Sequence, residues 1–587
     1  MSAPCNDDRY KVGSGRIVQF SDVHLSVAGK GVELELNYGK DPPLVLLQRA
    51  LKCARELMPS PDIFLYTGDS VVHQRRSSQG DRWRKEYIRK AIKKVMRNFN
   101  SSYPVKGRTK SMTTTVGNAD VSPNYYMAIT NGNTINPTLS EISRAWEKLL
   151  EPVQLNDFRN KGYTLRDIDE RLTVLILNTG PYAKNRNGES TNIRLEDPLG
   201  QFEWLTTQLK QLESQNRLVY ICGHIPPMLH MTDGQYQWKG KYIEMYKAVI
   251  APFVAIIKAQ IFGHVHAHEM HLFQLKNVFV PLYTVGAISP KYWNNPSFVV
   301  WEYDKGTYEF LDYHVYASTE LPFEKWGHLF SATESFGLTN LSSDQLRALS
   351  ARFKSGNADK LYGIYQKNRY AHAPTKSPEC KDAACQAVVA CSFEWHTNIY
   401  ELAECQIKKA KALEDKGLER GGDLRILGVI KSMMESESGD PSKTADVLHP
   451  KGDLEVDGSL RLMDVTRVSR VLDPAMETGL AEKPASNIPS TCATAFLAFL
   501  LLATIMRVLD KVFGIKFRRV LDPAMETGLA EKPASNIPST CATAFLAFLL
   551  LATIMRVLDK VFGIKFRWRR LVKGTETEKS RVMKLAP

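Results

Sequence analysis

The sequence predicts an α/β protein. Three observations carry that expectation: strand-length apolar runs recur along the first half of the chain, they lack two-residue alternation, and stretches of helical period separate them. A run without alternation is what a strand covered on both faces requires, and strands alternating with helices pack as layers.

In chain order the expected strands are 16–20, 62–66, 113–116, 172–177, 218–222 and 259–262. After the first, Leu44, Leu47, Leu51, Ala54 and Leu57 recur at helical spacing; before the fifth, Leu199, Phe202, Leu205, Leu209 and Leu212 do the same. Stretches rich in Gly, Asn and Pro at 183–192 and 228–240 read as loops. Beyond about Tyr316 the strand signal fades, and helical patterns follow at 342–354 and 384–411. Residues 436–459 turn polar and rich in Gly, Pro, Ser and Asp, as a linker does.

With 587 residues, 43% hydrophobic and 24% charged, the chain can bury a large core and carry appendages. The net charge of +14 raises nucleic-acid binding, but no zinc-finger, RNP-like or basic-zipper pattern is present, so no specific nucleic-acid recognition is expected. Much of the excess lies at 82–97, which reads as a solvated helix face, and at the extreme C-terminus. Cys5, Cys53 and Cys222 stand apart, whereas Cys380, Cys385, Cys391 and Cys405 crowd together without C-x2-C pairs. Two local disulfides in an oxidising compartment fit that spacing better than a structural zinc site; four reduced thiols are the alternative. Asn100 and Asn340 open glycosylation triplets, and residues 1–15 lack the apolar stretch of a secretory signal.

The C-terminal tail repeats itself: 470–518 recur unchanged as 519–567. Each copy holds an uncharged apolar run, 488–506 and 537–555, long enough to cross a bilayer. Basic residues follow both runs, so both copies favour a cytoplasmic C-terminal flank, yet successive spans must run in opposite directions. One effective transmembrane helix, the other copy being a duplication, resolves that conflict; a hairpin of two spans is the alternative.

The chemistry gathers where the strands end. Asp22 and His24 follow the first strand, Asp69 the second, Asn118 and Asp120 the third, His224 the fifth, and His264 and His266 the sixth. Open α/β sheets place ligands at the carboxyl ends of their strands, so these groups can converge. Asp22, His24, Asp69, Asn118, His224, His264 and His266 are too many for one tetrahedral ion and suit two divalent ions sharing a carboxylate. Two cations against two Asp leave a positive pocket fit for a phosphate ester. His268 and His271 then read as surface or supporting residues, with Glu269 a sequence neighbour able to partner an imidazole.

The order D-x-H, G-D, G-N, G-H, G-H-x-H resembles the calcineurin-like metallophosphoesterase superfamily. The stretches Asp197-Pro198-Leu199-Gly200-Gln201-Phe202-Glu203-Trp204-Leu205, Gly223-His224-Ile225-Pro226-Pro227 and Asn294-Asn295-Pro296-Ser297-Phe298 are similar to its acid sphingomyelinase-like phosphodiesterase and endopolyphosphatase branch. The resemblance implies a four-layer α/β sandwich and a bridging hydroxide that attacks a phosphodiester or phosphoanhydride. It places Asp22, His24, Asp69 and His266 on one ion and Asp69, Asn118, His224 and His264 on the other. Zinc is the implied ion, with iron or manganese compatible with the oxygen ligands. His73 matches a histidine of the sphingomyelinase-like motif that would contact the phosphate or the leaving group.

One position departs from the pattern. The family's Gly-Asn-His has a proton-donating histidine where this chain has Ala119. General-acid help is worth roughly 10²–10⁴-fold, so His73 or Asp120 must substitute, or the leaving group needs little protonation. An endopolyphosphatase, whose leaving group is already a good anion, is thus one alternative function. A catalytically weak membrane protein that binds phosphorylated ligands is another.

The expected organisation is an N-terminal extension 1–15, a catalytic domain 16–318 and a helical, cysteine-bearing region 319–412. A linker 413–487, a transmembrane segment 488–506, a basic loop 507–536, a duplicated segment 537–555 and a basic tail 556–587 follow. The expected substrate is a phosphodiester, nucleotide or polyphosphate. The C-terminal helix would anchor the protein in a membrane, with the catalytic domain on a luminal (vacuole- or lysosome-like) or extracellular side.

Overall fold

The computed structural model describes residues 9–421 apart from 28–33, 74–80, 104–111, 132, 148–151, 186–195, 276–277, 357–358, 377–378 and 420. The chain divides into two units, Met1–Asp446 and Val447–Pro587, and every described residue lies in the first.

Twelve strands are present among the described residues: β1 (Gly15–Phe20), β2 (Ile63–Tyr66), β3 (Met112–Thr114), β4 (Thr164–Asp167), β5 (Leu172–Ile176) and β6 (Leu218–Cys222). They continue with β7 (Ile257–Phe262), β8 (Glu269–Leu275), β9 (Val278–Thr284), β10 (Ser297–Tyr303), β11 (Phe310–Ala317) and β12 (Gly327–Ser331). All six expected strands are found, within two residues at each end. The others form two six-stranded sheets with them, ordered β12-β11-β10-β1-β2-β3 and β4-β5-β6-β7-β9-β8. Strands β1, β2 and β3 run parallel in the first sheet, and β5, β6, β7 and β9 in the second.

Alternate residues of each central strand face different cores, which explains why the sequence shows no alternation. Ile17 of β1, Ile63 and Leu65 of β2, Val174 of β5, Tyr220 of β6 and Ile261 of β7 meet in one cluster between the sheets. Val18, Phe20, Phe64 and Tyr66 turn outward to the helices Leu44–Leu57 and Asp81–Ser102. On the far side Leu175, Val219 and Ile221 turn to Gln201–Ser214 and Gly240–Ile250. Helix, sheet, sheet and helix therefore stack as four layers. The helix Leu44–Leu57 buries Leu47, Leu51 and Ala54 of its expected stripe, along with Leu46 and Ala50. Full burial of such a side chain is worth about 1.5–3 kcal/mol, which offsets the ordering of the chain around the sheets.

Two boundaries differ from expectation. Residues 10–15 are not a detached extension: Lys11 N and Ser14 Oγ both donate to Glu302 Oε1, at 2.7 and 2.6 Å, and Gly15 already lies in β1. Strand order does not end near residue 318, because β12 pairs with β11 from inside the expected helical region. Strands β10 and β11, buried almost throughout, add to the first sheet beyond the strands expected.

The helices Ser343–Ser355, Asp359–Arg369, Ala383–Ser392 and Ile399–Glu414 form the expected helical region. Leu346, Leu349, Phe353, Tyr365 and Phe393 extend the inter-sheet core. Cys380–Cys385 and Cys391–Cys405 are both disulfides, the second joining the last two helices. Cys53, which stands apart in the sequence, is disulfide-bonded as well, while Cys222 is free and buried. Among the described residues no helix is long and apolar enough to cross a membrane. The runs 488–506 and 537–555, like the linker from 422 onward and the basic segments, lie outside the described residues.

Candidate metal centre

The parallel strands of both sheets deliver their loops to one place. Asp22 and His24 follow β1, Asp69 follows β2, Asn118 follows β3, His224 follows β6, and His264 and His266 follow β7. Two contacts join the sheets there: His224 Nδ1–H donates to Thr67 O at 2.6 Å, and His264 N–H donates to Asp22 Oδ2 at 2.9 Å. Close approach demands glycine. A Cβ on Gly117 would sit 1.9 Å from Asp69 Oδ1, and one on Gly263 would sit 2.1 Å from Ser21 Oγ.

The backbone is also strained to aim these side chains. Asp22, His24, Asp69, His264 and His266 all have φ between 44 and 74°. Non-glycine residues rarely occupy that region, which costs roughly 1–3 kcal/mol each, and such outliers cluster at functional sites.

The donor atoms fall into two groups that share one oxygen. Asp69 Oδ2 lies 3.4 Å from His24 Nε2 and 3.3 Å from His224 Nε2. On one side His266 Nε2 is 3.1 Å from His24 Nε2 and 3.3 Å from Asp22 Oδ1. On the other, His224 Nε2 is 3.0 Å from Asn118 Oδ1 and 3.2 Å from His264 Nδ1. All seven expected ligands are thus brought together, in the two sets of four that the resemblance implies.

These residues fit divalent cations. His24 Nδ1–H is held by Val71 O at 2.8 Å and His224 Nδ1–H by Thr67 O, so each ring turns its Nε2 inward. Asp22 Oδ1, 3.3 Å from His266 Nε2, is buried without a hydrogen-bond partner. Buried polar atoms are rarely left so, and two nitrogen lone pairs at 3.1 Å need a proton or a cation between them. Burial works to raise the Asp69 carboxyl, but His224 and His24 outweigh it and hold it down at about 2. Burial likewise opposes charge on His24 and His224, yet Asp69 foremost pushes both up to about 9. The pocket therefore attracts positive charge at these ring nitrogens.

Two expected proton donors part company. His73 stacks on His24 with ring centroids 3.7 Å apart, and its Nδ1 lies 2.8 Å from Asp41 Oδ1. Burial, aided by the charge on His24, brings His73 down to about 4. Asp41, which sequence reading did not single out, also accepts His73 N–H at 2.9 Å. It lies in a loop before Leu44–Leu57 with no motif around it, so only the fold reveals it. Asp120 does not stand at the site as a free acid. Its Oδ1 accepts Ser70 N–H at 2.7 Å, and its Oδ2 accepts Asp69 N–H at 3.1 Å and Gly117 N–H at 3.0 Å. Asp120 therefore fastens the turn that carries Asp69. Ala119 is fully buried and its N–H donates to Asp69 Oδ1 at 2.7 Å.

Of the two alternatives open for His268 and His271, surface or supporting, the surface one is excluded, for both are buried. His271 bonds Glu269 Oε2 at 3.2 Å and Ser392 O at 2.6 Å, and His268 Nε2 lies 3.0 Å from Ser297 Oγ. Tyr125 and Tyr292, unnoticed in the sequence, flank the ligands, with Tyr292 4.8 Å from His266 and Tyr125 6.1 Å from His264 between ring centroids.

Residues 15–268 match the calcineurin-like phosphoesterase family. This match, over less than half of the chain, together with phosphodiesterase-named relatives supports a metal-dependent phosphoester hydrolase. Among curated relatives the chain is similar to sphingomyelinase phosphodiesterase D of Dictyostelium discoideum, 28% identical over 357 residues, spanning 58% of this chain and 76% of the relative. It is also similar to acid sphingomyelinase-like phosphodiesterase 3b of Mus musculus, 24% identical over 444 residues, spanning 67% and 90%. An endopolyphosphatase of Debaryomyces hansenii is 30% identical over 241 residues, spanning 36% of this chain and 33% of the relative.

Proposed function

We propose that this domain is a two-cation phosphodiesterase of the acid sphingomyelinase-like kind, hydrolysing a phosphodiester or phosphoanhydride. The observation that carries the reading is Asp69 Oδ2, one carboxylate oxygen set between the Nε2 atoms of His24 and His224 at 3.4 and 3.3 Å. Asp22, His24, Asp69 and His266 would hold one cation, and Asp69, Asn118, His224 and His264 the other. When bound, such a pair acidifies water and balances the charge that builds on a phosphoryl group. Four ring nitrogens, from His24, His224, His264 and His266, favour zinc, while iron and manganese fit the oxygens of Asp22, Asp69 and Asn118.

The chain's own residues do the rest. Val71 O and Thr67 O fix the tautomers of His24 and His224. Asp120 and Ala119 N–H orient the Asp69 carboxylate through its turn and its Oδ1. His73, held by Asp41 and stacked on His24, hands a proton to the departing oxygen, since Ala119 offers only a methyl group.

Ala119 also favours a second reading, endopolyphosphatase, because an anhydride leaves as a stable anion without protonation. The disulfides Cys380–Cys385 and Cys391–Cys405 support a luminal or extracellular location. Anchoring through 488–506 or 537–555 rests on the apolar length of those runs alone. Metal analysis of the purified chain should find about two divalent ions per molecule. A screen of sphingomyelin, nucleoside triphosphates and long-chain polyphosphate should find chelator-sensitive turnover. Turnover untouched by a chelator overturns the proposal, and cation-loaded protein that hydrolyses none of them points to a phospho-ligand-binding role.

A further inference from the structure

The turn that leads out of His224 has little to close itself with. Residues 225–227 read Ile-Pro-Pro, and the two prolines carry no backbone N–H. All three residues are buried, so their carbonyl oxygens need donors. Met228 N–H donates to Pro226 O at 2.9 Å, and two indoles supply the others: Trp238 Nε1–H donates to Ile225 O at 2.8 Å and Trp395 Nε1–H to Pro227 O at 2.6 Å. Trp238 belongs to the loop that follows the turn. Trp395 comes from far beyond the residues matched to the phosphoesterase family, between the last two helices of the cysteine-bearing region.

Its segment is held at several points. Leu272 N–H donates to Phe393 O at 2.8 Å and Trp395 N–H to Leu272 O at 3.3 Å, so the segment lies along β8, the edge of the second sheet. The indole packs edge-on against Phe273, with 4.5 Å between centroids, and is only 7% exposed. Lys247 Nζ donates to Thr397 Oγ1 at 3.1 Å, and Ile399 N–H donates to Tyr236 Oη at 3.3 Å. The Cys391–Cys405 disulfide ties the chain together on either side of this segment.

We infer that Trp395 is a positioning residue for the cation that His224 would hold, reaching the metal centre from the disulfide-closed part of the helical region. This rests on the two-cation reading of the site. His224 is fully buried, with Nδ1–H on Thr67 O and Nε2 3.0 Å from Asn118 Oδ1, so a shift of the backbone leading out of it moves the ring off the cation. A phenylalanine would pack on Phe273 as well; what it lacks is the N–H, and losing that strands Pro227 O in a buried turn. Groups that support a ligand without touching the metal are typically worth about 10–100-fold in metal affinity.

Calorimetric titration of the metal-stripped full chain with zinc ions tests this without turnover. Trp395→Phe should weaken one of the two cations roughly tenfold and leave the other within about twofold. In His224→Ala the same substitution should add nothing, because the group it acts through is gone. If Trp395→Phe does not fold, the disulfide is opened instead with Cys391→Ser and Cys405→Ser together: weakening of a single cation supports the inference, and unchanged affinities overturn it. Trp395→Phe that lowers the urea midpoint with both affinities unchanged, or that weakens both cations alike, overturns the inference alone, as does a loss that persists in His224→Ala. An unaltered chain that takes up no zinc overturns the two-cation reading and this inference with it.

Discussion

Two clusters of buried carboxylate and imidazole lie within a few residues of each other where the chain passes from β7 to β8, and they differ in how they close. Around Glu269, Arg369 donates from Nε at 3.0 Å and again from its terminal nitrogen, while His271 bonds Glu269 Oε2. Burial works to raise the Glu269 carboxyl, but Arg369, His271 and His230 together outweigh it and hold it well below the usual range. Each ring nitrogen of His271 has a partner inside the protein. Around Asp69, by contrast, Asp22 Oδ1 is buried without a hydrogen-bond partner and two pairs of ring nitrogens face each other at 3.1 and 3.2 Å. The same residue types serve structure where they satisfy one another, and form a ligand site where their lone pairs converge unsatisfied.

The difference can be broken most directly at the shared oxygen. Asp69→Asn should lower hydrolysis of an aryl phosphodiester by on the order of 10³-fold, read at unchanged circular dichroism. Activity near that of the unaltered chain would remove the distinction between the clusters. Arg369→Met should do the opposite, destabilising the fold by about 3–5 kcal/mol in urea because it strands the Glu269 charge, with little change in metal content. Loss of metal before loss of fold would show that the two clusters are one.

His73→Asn should cost about 10²-fold in kcat on a substrate with a poor leaving group and much less on an anhydride. Equal losses on both would assign His73 to binding. The smallest effect is in pH. Burial brings His73 down to about 4, so its proton-donating form is lost as pH rises through that value, and kcat should decline on that limb. The limb should flatten in His73→Asn. Glu269 works in the other direction: its lowered carboxyl contributes stability above its ordinary value of 4.5 that is lost as pH falls below it. A stability profile flat below that value would deny Glu269 its structural role.

How much could be read in advance differs between the clusters for the same physical reason. Asp22, His24, Asp69, Asn118, His224, His264 and His266 stood out because each follows an apolar run, and where a strand stops is a local property of the chain. The two disulfides of the helical region are likewise short-range, between cysteines 5 and 14 residues apart. Asp41 stayed hidden because its partner His73 is 32 residues away, and Arg369 because Glu269 is 100 residues away. Asp120 reads as an acid in the sequence, whereas three backbone N–H groups occupy it in the fold.

The sequence by itself determined the α/β class, the six central strands and the residues proposed as ligands, since apolar run length, glycine placement and side-chain chemistry are properties of neighbouring residues. Only the tertiary structure decided which oxygen is shared, that Asp41 holds His73, and that His268 and His271 are buried. Those outcomes depend on which distant groups complete each other's hydrogen bonds once β1, β2, β6 and β7 bring their ends together, and no local pattern encodes that closure.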